Sequence, residues 1–167
     1  IVEIENETLG LDFDELKIAW KKYKPKVVQL VHVYGHPARD TLKIINFCKK
    51  KKIKILEDAS ESLGAKIGSN KVGSFGDISV FSVRSEKMIG CGEGGVILTD
   101  NKKLFEKIKL ICSRHAPFRG KNDPYWKKYY INGEGYNYLM PHLLGAVSRA
   151  QMEKFEKEIL NKKINVG

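Results

Sequence analysis

Two short apolar runs with one amphipathic stretch between them constrain the fold most strongly. Residues 27–33 and 53–56 are almost continuously aliphatic, which is typical of strands that are buried on both faces of a sheet. Residues 39–51 have the three-residue apolar spacing of a helix, set by Leu42, Ile45 and Cys48. A strand, a helix and a strand in this order form a right-handed crossover between parallel strands. The sequence therefore predicts an α/β protein with a mostly parallel sheet.

Further strands and helices are predicted on either side of this unit. A helix is expected to begin after Asp12 and to end before Pro25, and the glycine-rich residues 64–76 are expected to form a small hairpin or loop. Two more strands are expected at residues 78–83 and 96–99, and two more helices at residues 100–113 and 141–161. Residues 114–135, between these helices, are expected to form a long aromatic and basic loop. A chain of 167 residues is long enough for one domain with a core.

The composition is that of a globular protein, which we expect to be cytoplasmic. Hydrophobic residues make up 42%, no apolar run approaches the roughly 18 residues of a membrane span, and the acidic start lacks a signal-peptide pattern. Three cysteines without metal-ligand spacing indicate free thiols in a reducing compartment. The net charge of +10 is compatible with a nucleic-acid or membrane partner, but the lysines are scattered and form no stripe with aromatic residues. We therefore expect neither partner.

One lysine differs from the others in its surroundings. Lys87 lies between a predicted strand and a glycine-dense turn, and its neighbours are apolar or small, among them Phe81, Val83, Met88 and Ile89. A lysine held in an apolar, water-poor place loses part of its preference for the charged form and becomes an amine nucleophile. Most lysines are solvated charges, so Lys87 is a candidate only together with other reactive groups.

An acidic pair at the end of another predicted strand supplies such groups. Glu57 and Asp58 follow aliphatic residues, and in open parallel sheets ligands bind beyond the carboxyl ends of the strands. A carboxylate there is either solvated or bonded to a cation or a heterocycle. Asp58 beside a reactive lysine suits pyridoxal phosphate (PLP), which needs an amine for a Schiff base and an acid for its ring nitrogen. Ser82 is a candidate donor to the phosphate of PLP.

Three other motifs do not support a competing site. Residues 90–95 have the spacing G-x-G-x-x-G but lead into a predicted strand, whereas a dinucleotide site requires a helix there. Residues 68–73 have the spacing of a P-loop, but Ser74 stands in place of the required lysine. His32 and His36 have no further well-spaced ligand, so no metal site is expected. His32 is expected to contact either a cofactor edge or the core.

Six motifs occur in order along the chain. They are Val31-His-Val-Tyr-Gly-His-Pro-Ala38, Leu56-Glu-Asp-Ala-Ser-Glu-Ser-Leu-Gly-Ala65, Val72-Gly-Ser-Phe-Gly-Asp77, Phe81-Ser-x-x-x-x-Lys87, Gly92-Glu-Gly-Gly95 and Gly135-Tyr-Asn-Tyr138. Together they resemble the DegT/DnrJ/StrS family of PLP-dependent nucleotide-sugar aminotransferases, including its perosamine-synthase-like members. The resemblance covers about residues 1–155. It implies a three-layer α/β sandwich with a mostly parallel sheet, as in the large domain of the aspartate-aminotransferase fold (fold type I).

The resemblance also implies roles for five residues. Lys87 matches the lysine that forms the Schiff base with PLP and moves the proton. Asp58 matches the aspartate on the ring nitrogen, and Ser82 matches the serine on the phosphate. Glu61 matches a position near the phenolic oxygen of the ring. Asn137 lies in the segment that reaches the partner subunit's cofactor phosphate across a dimer interface.

The sequence departs from the family pattern at several of its motifs. Glu61 replaces a common glutamine and is not a donor to the phenolic oxygen unless it is protonated. Residues 139–142 differ from the family's usual run, which bears on the sugar end of the site. Arg84 is either a phosphate or carboxylate ligand or an exposed side chain. Lysine at position 87 argues against the related sugar 3-dehydratases, which have histidine there.

The resemblance implies that residues 1–167 are part of the PLP-binding large domain. Family members also have a preceding N-terminal segment and a small C-terminal domain. The implied activity is transamination of a nucleotide-linked keto-deoxysugar with an amino-acid donor, L-glutamate, by a homodimer that serves surface-polysaccharide synthesis. The alternatives are a non-catalytic or regulatory relative that keeps the fold, and a fragment without activity.

Overall fold

A computed structural model describes residues 1–114, 124, 133–155 and 157. The chain divides into two compact units, Ile1–Leu98 with His142–Gly167, and Thr99–Pro141. Most of the predicted loop at residues 114–135 and the end of the predicted last helix lie outside the described residues.

The first unit begins with one helix, which is followed by the predicted crossover of two parallel strands and one helix. Helix α1 (Phe13–Tyr23) is capped by Asp12, whose carboxylate accepts hydrogen bonds from two backbone amides of the first turn. Strand β1 (Val27–Val31), helix α2 (Thr41–Lys51) and strand β2 (Lys54–Asp58) follow. Strands β1 and β2 pair in parallel, as the sequence predicts.

The remaining strands complete a four-stranded sheet and a hairpin. Strands β3 (Lys66–Ile67) and β4 (Asn70–Lys71) form the small antiparallel hairpin expected in this region. Strand β5 (Ile78–Ser82) pairs in parallel with β2, and strand β6 (Gly95–Leu98) pairs antiparallel with β5. The sheet order is therefore β1-β2-β5-β6 with one antiparallel edge. The predicted α/β class with a mostly parallel sheet is confirmed.

The core lies between one face of the sheet and the helices α1 and α2. Its buried side chains come from both helices, from strands β1 and β2, and from the segments that precede α2 and β2: Leu16, Val28, Leu30, Ala38, Ile44, Ile45, Cys48, Ile53 and Ile55. In α2 the buried stripe is Thr41, Ile44, Ile45 and Cys48. Leu42, one of the three residues whose spacing predicted this helix, is 50% exposed and lies outside the buried stripe. It lies about 100° around the helix from Thr41, beyond the edge of the stripe.

The sheet is buried on one face more than on the other. Residues of β1 alternate between exposed and buried, with Val28 and Leu30 facing the helices and Val27 56% exposed on the other side. Within the described residues, the predicted burial of both faces is therefore wrong for β1. The reason is that α1 and α2 both pack on the same side of the sheet.

The described part of the second unit is built around helix α3 (Lys102–Cys112). This helix begins after Asn101, whose side chain accepts hydrogen bonds from two amides of the first turn. Residues 136–138 lie along the end of α3 through backbone hydrogen bonds to Ile111, Cys112 and Arg114. The first unit contains the last described helix, α4 (His142–Met152). In the part of the chain that the structure describes, no helix is both long enough and apolar enough to span a membrane.

The stripe of α2 leads to a stability prediction. Ile44 is fully buried in the core, so Ile44→Ala leaves a cavity and should lower the free energy of unfolding by about 2 to 5 kcal/mol. Leu42→Ala, on the exposed side of the same helix, should change it by less than about 0.5 kcal/mol. Urea denaturation of both variants measures the two values. Equal losses would contradict the assignment of the buried face.

Candidate active site

Three parallel strands end at the same edge of the sheet. Strand β1 is followed by His32, β2 ends at Asp58, and β5 ends at Ser82. Since the strands are parallel neighbours, these three residues lie along one edge. In open α/β sheets this is the edge where ligands bind. The structure thus brings the predicted residues Asp58 and Ser82 to the expected location.

The strand register separates the side chains at this edge into two faces. Asp58 is aligned with Val31 on one side and with Val80 on the other. Directly aligned residues have their side chains on the same face, and Ser82 follows Val80 by two positions. Asp58 and Ser82 therefore share the face of the sheet that is opposite to helices α1 and α2. Glu57 lies on the helix-covered face, since successive residues of a strand alternate.

Asp58 accepts hydrogen bonds at both carboxylate oxygens. Its Oδ1 accepts from the amide and the hydroxyl of Ser60, at 3.1 Å and 2.6 Å. Its Oδ2 accepts from Nε2 of Gln29, at 3.3 Å. Sequence analysis missed both partners. Gln29 is the one polar residue in β1, on the same face as Asp58, and this was the available signal.

Lys87 lies in the turn between β5 and β6 and forms an ion pair. Its Nζ is 3.0 Å from Oε1 of Glu61, in the loop after β2. The other oxygen, Oε2, accepts a hydrogen bond from the backbone amide of Tyr34 at 3.1 Å. The amine is therefore held by a carboxylate instead of lying in the apolar place that its flanking residues suggested. The structure thus brings together two residues, Glu61 and Lys87, that the sequence assigned to the site separately.

The charge state of Glu61 follows from these contacts. The hydrogen bond from Lys87, and then that from the Tyr34 amide, hold the pKa of Glu61 below its usual range. The carboxylate is therefore ionised at neutral pH and acts only as an acceptor. This agrees with the expectation that Glu61 is not a donor to a phenolic oxygen.

Ser82 and the turn after it complete the described part of this edge. The Ser82 hydroxyl is half-buried and accepts a hydrogen bond from the amide of Arg84 at 3.3 Å, which leaves its own proton available for another acceptor. The guanidinium of Arg84 binds Glu86 at 2.8 Å and is exposed. Residues 90–95 lead into strand β6, as expected, and not into a helix.

His32 and Glu57 form a buried pair on the helix-covered face. Nε2 of His32 lies 3.1 Å from Oε1 of Glu57, and both side chains are fully buried. Of the two predicted locations of His32, the core is therefore the one observed. Glu57 is likewise buried in the core, whereas Asp58, the next residue in the sequence, lies on the open face of the sheet.

Asn137 lies in the second unit of the chain. It forms an isolated antiparallel bridge with Ser113, and the rings of Tyr136 and Tyr138 stack on each other with centroids 5.0 Å apart. These contacts hold the predicted Gly135–Tyr138 motif against the end of α3.

Comparison with known proteins identifies the family. A model of the DegT/DnrJ/EryC1/StrS aminotransferase family matches residues 1–166. The chain belongs to this family. GDP-perosamine synthase of Escherichia coli O157:H7 is 33% identical over 162 residues, which are 97% of this chain and 42% of that protein. GDP-4-keto-6-deoxy-D-mannose 3-dehydratase of Yersinia pseudotuberculosis is 30% identical over 165 residues. The match covers 92% of this chain and 41% of that protein.

A solved structure agrees with the fold. The E. coli GDP-4-keto-6-deoxy-D-mannose-3-dehydratase with bound hydrated PLP matches with a TM-score of 0.87 at 25% identity. The match covers 99% of this chain and 44% of that structure. The chain therefore spans about two fifths of the length of the relatives it matches.

The groups at the sheet edge fit PLP, the cofactor of this aminotransferase family. PLP requires an amine for its aldehyde, an acid for its ring nitrogen and donors for its phosphate. Lys87 has the amine, Asp58 has a carboxylate on the open face, and Ser82 has a hydroxyl group whose oxygen accepts from the Arg84 amide, so that its proton is available to a phosphate. These three side chains therefore supply one group for the aldehyde of PLP, one for its ring nitrogen and one for its phosphate.

The ion pair leads to a prediction for the pKa of Glu61. Removal of the amine in Lys87→Met should raise this pKa toward the ordinary value for glutamate, because the hydrogen bond from Lys87 is its largest cause. The hydrogen bond from Tyr34 should keep it slightly lowered. Carboxyl carbon NMR as a function of pH measures the change in the cofactor-free protein. A pKa that does not move would contradict the ion pair, and Lys66→Met on the exposed hairpin is the matched control.

Proposed function

We propose that the protein containing this chain is a PLP-dependent sugar aminotransferase. It transfers the amino group of an amino acid, L-glutamate as the expected donor, to the keto group of a nucleotide-linked deoxysugar. The observation that carries the proposal is the placement of an amine, a carboxylate and a hydroxyl around one sheet edge in a chain of this family. The perosamine synthases among its relatives support the sugar substrate.

The proposed mechanism assigns one task to each side chain. PLP, when bound, supplies the aldehyde that accepts the amino group and a ring that takes up the electrons released from the substrate carbon. Lys87 Nζ would hold the cofactor until the amino group of the donor replaces it there. The released amine would then take the Cα proton of the amino acid and return a proton to the cofactor carbon that bears the nitrogen. Asp58 keeps the ring nitrogen protonated through a charge-assisted hydrogen bond.

Three further groups are proposed to bind and orient the cofactor. Ser82 donates its hydroxyl proton to the phosphate. Glu61, anchored by the amide of Tyr34, holds the Lys87 amine and would face the phenolic oxygen of the cofactor as an acceptor. Asn137 is proposed to serve the phosphate of the partner subunit's cofactor. These roles extend the family pattern to the positions that match it.

The relatives include a 3-dehydratase, which removes a hydroxyl group from the same class of sugar, so the two activities need to be separated. Lysine at position 87 favours transamination, because it gives the site a primary amine that both holds the cofactor and carries the proton. Transamination and 3-dehydration give different products, since only transamination adds nitrogen to the sugar. A non-catalytic relative would bind PLP but would not react with the amino acid.

The arrangement of the whole protein is also proposed. Residues 1–167 are part of the PLP-binding large domain, and the relatives' greater length leaves room for a preceding segment and a small C-terminal domain. The active protein is a homodimer in the cytoplasm, and its product is used for surface polysaccharide. The assignment of Asn137 to the partner's site depends on this dimer.

Reductive trapping tests the site. The full-length gene product is mixed with PLP, reduced with borohydride and digested, and the modified peptide is identified by mass spectrometry. The label should lie on Lys87 alone, and Lys87→Ala should remove it. Lys66→Ala, on the exposed hairpin, is the matched control and should keep the label on Lys87.

Labels spread over the surface lysines of the full-length protein would contradict the assignment of Lys87 as the lysine that binds PLP. The same treatment of residues 1–167 alone shows how much of the pocket this part of the chain forms. A label on Lys87 in both proteins would mean that the sheet edge described here is sufficient for cofactor capture.

The reaction with the donor gives a second prediction. Addition of L-glutamate should convert the aldehyde form of the bound cofactor to the amine form, with a change in visible absorbance. Asp58→Asn should slow this half-reaction by about a hundredfold or more, because the ring nitrogen loses its anionic partner. Asp14→Asn, which changes an exposed carboxylate on α1, should leave the rate unchanged. Bound PLP that does not respond to any amino acid would favour the non-catalytic relative.

A further inference from the structure

Glu57 is a fully buried carboxylate that the proposed mechanism does not use. It lies in β2, one residue before Asp58, with its side chain on the helix-covered face and none of its surface exposed. A buried charge is costly unless it is hydrogen-bonded on every side. The hydrogen-bond partners of this carboxylate therefore indicate its role in the structure.

Five donors surround the two oxygens of Glu57. Oε1 accepts from the Gly73 amide at 2.6 Å and lies 3.1 Å from Nε2 of His32. Oε2 accepts from the amides of Phe75 and Gly76 at 2.8 Å and 2.9 Å, and from the Ser79 hydroxyl at 3.1 Å. Nδ1 of His32 accepts the Ala38 amide at 3.0 Å, so the ring proton is on Nε2 and points at Glu57.

An amide side chain does not fit this cradle. Glutamine has one oxygen and one NH₂ group, whereas both positions here face N–H donors. In either orientation the NH₂ group would meet at least two donors, and their hydrogen bonds would be lost. The site therefore requires an acceptor-only group, which is an ionised carboxylate.

The ionisation of Glu57 agrees with this requirement. Burial by itself would raise the pKa of Glu57, but the hydrogen bonds from His32 and from the amides of Gly73, Phe75 and Gly76 outweigh it and lower the pKa to about 2. The carboxylate is thus an anion throughout the pH range in which the protein functions.

The turn that supplies three of the donors is shaped to fit Glu57. Gly73 has φ +91°, and a Cβ there would lie 2.1 Å from the ring of Phe81. A Cβ on Gly76 would lie 2.9 Å from Cβ of Glu57. Both positions therefore need glycine for the backbone to approach the carboxylate. This accounts physically for two glycines of the Val72–Asp77 motif.

The hydrogen bonds of Glu57 lead directly to Asp58. The backbone amide of His32 donates to the carbonyl of Asp58 at 3.0 Å, while its ring is held by Glu57. The carbonyl of His32 accepts the Ser62 hydroxyl at 2.8 Å, which ties down the loop that follows Asp58. Ser79 is aligned with Glu57 in the neighbouring strand β5. Glu57 thus joins the ends of β1 and β2 to the start of β5.

We propose that Glu57 is the positioning residue of this site, an obligate buried anion that fixes the sheet edge so that Asp58 meets the ring nitrogen of the cofactor. The inference rests on the proposed function and deepens it. Glu57 does not touch the cofactor, because its side chain is on the opposite face of the sheet. It acts through the backbone of β2 and through His32.

The experiment measures the protonation of the cofactor ring in the full-length protein. PLP with ¹⁵N in its ring is bound to the wild type and to the variant E57Q, and the ¹⁵N chemical shift is followed with pH. In E57Q the pH at which the ring nitrogen loses its proton should fall by about one unit, which is a tenfold loss of proton affinity. The dissociation constant of PLP should rise by about tenfold as well.

A matched control separates positioning from stability. Glu5 is also a buried carboxylate, 3% exposed, and accepts hydrogen bonds from the amides of Glu7, Thr8 and Gly10, but it lies in the N-terminal loop. E5Q should lower the melting temperature, as E57Q does, and should leave the titration of the ring nitrogen at its wild-type position. An E57Q protein that is destabilised like E5Q but keeps the wild-type titration and PLP affinity would overturn the inference.

A milder variant covers the case in which E57Q does not fold. Ser79→Ala removes one of the five donors and should shift the ring-nitrogen titration in the same direction, by about threefold in proton affinity. No shift in a folded Ser79→Ala protein would then overturn the inference. If the wild type itself forms no bond between PLP and Lys87, the proposed function fails, and this inference fails with it. That result is distinct from normal PLP binding that is insensitive to Glu57.

Discussion

The hydrogen bonds accepted by the buried Glu57 carboxylate are the interaction on which the sheet edge depends. Five donors from three separate segments converge on one side chain, and two glycines are needed to bring the backbone close enough. Apolar packing against α1 and α2 is non-directional and determines only which face of the sheet is covered. The directional bonds of Glu57 fix where the strand ends lie relative to one another.

The pleat of β2 explains why two adjacent carboxylates have different environments. Glu57 points toward the helices and is fully buried, whereas Asp58 points to the open face, where Gln29 and Ser60 contact it. A shift of one residue in the register of β2 would exchange the two side chains. The register with β1 and β5 is therefore as important for the candidate site as the identity of the residues.

Much of the fold followed from the sequence, because the crossover, the hairpin and the start of α1 after Asp12 depend on local patterns. The candidate edge followed from the general location of ligands in parallel sheets. The ion pair between Glu61 and Lys87 did not, because it joins residues 26 positions apart through a loop whose path depends on tertiary contacts. The exposure of Leu42 did not follow either, because a spacing of three residues predicts a helix but does not fix the centre of its buried stripe.

Three carboxylates near this edge differ in burial, and their burial determines how readily each can change partners. Glu57 is inaccessible and fully hydrogen-bonded, so exchanging its partners would require the edge to open. Asp58 is half-buried with neutral donors, which leaves its charge available to a cation. Glu61 binds Lys87 where both side chains are partly exposed, and such pairs contribute only about 0 to 1 kcal/mol. The amine can therefore leave Glu61 at little cost, while the framework that holds Asp58 stays in place.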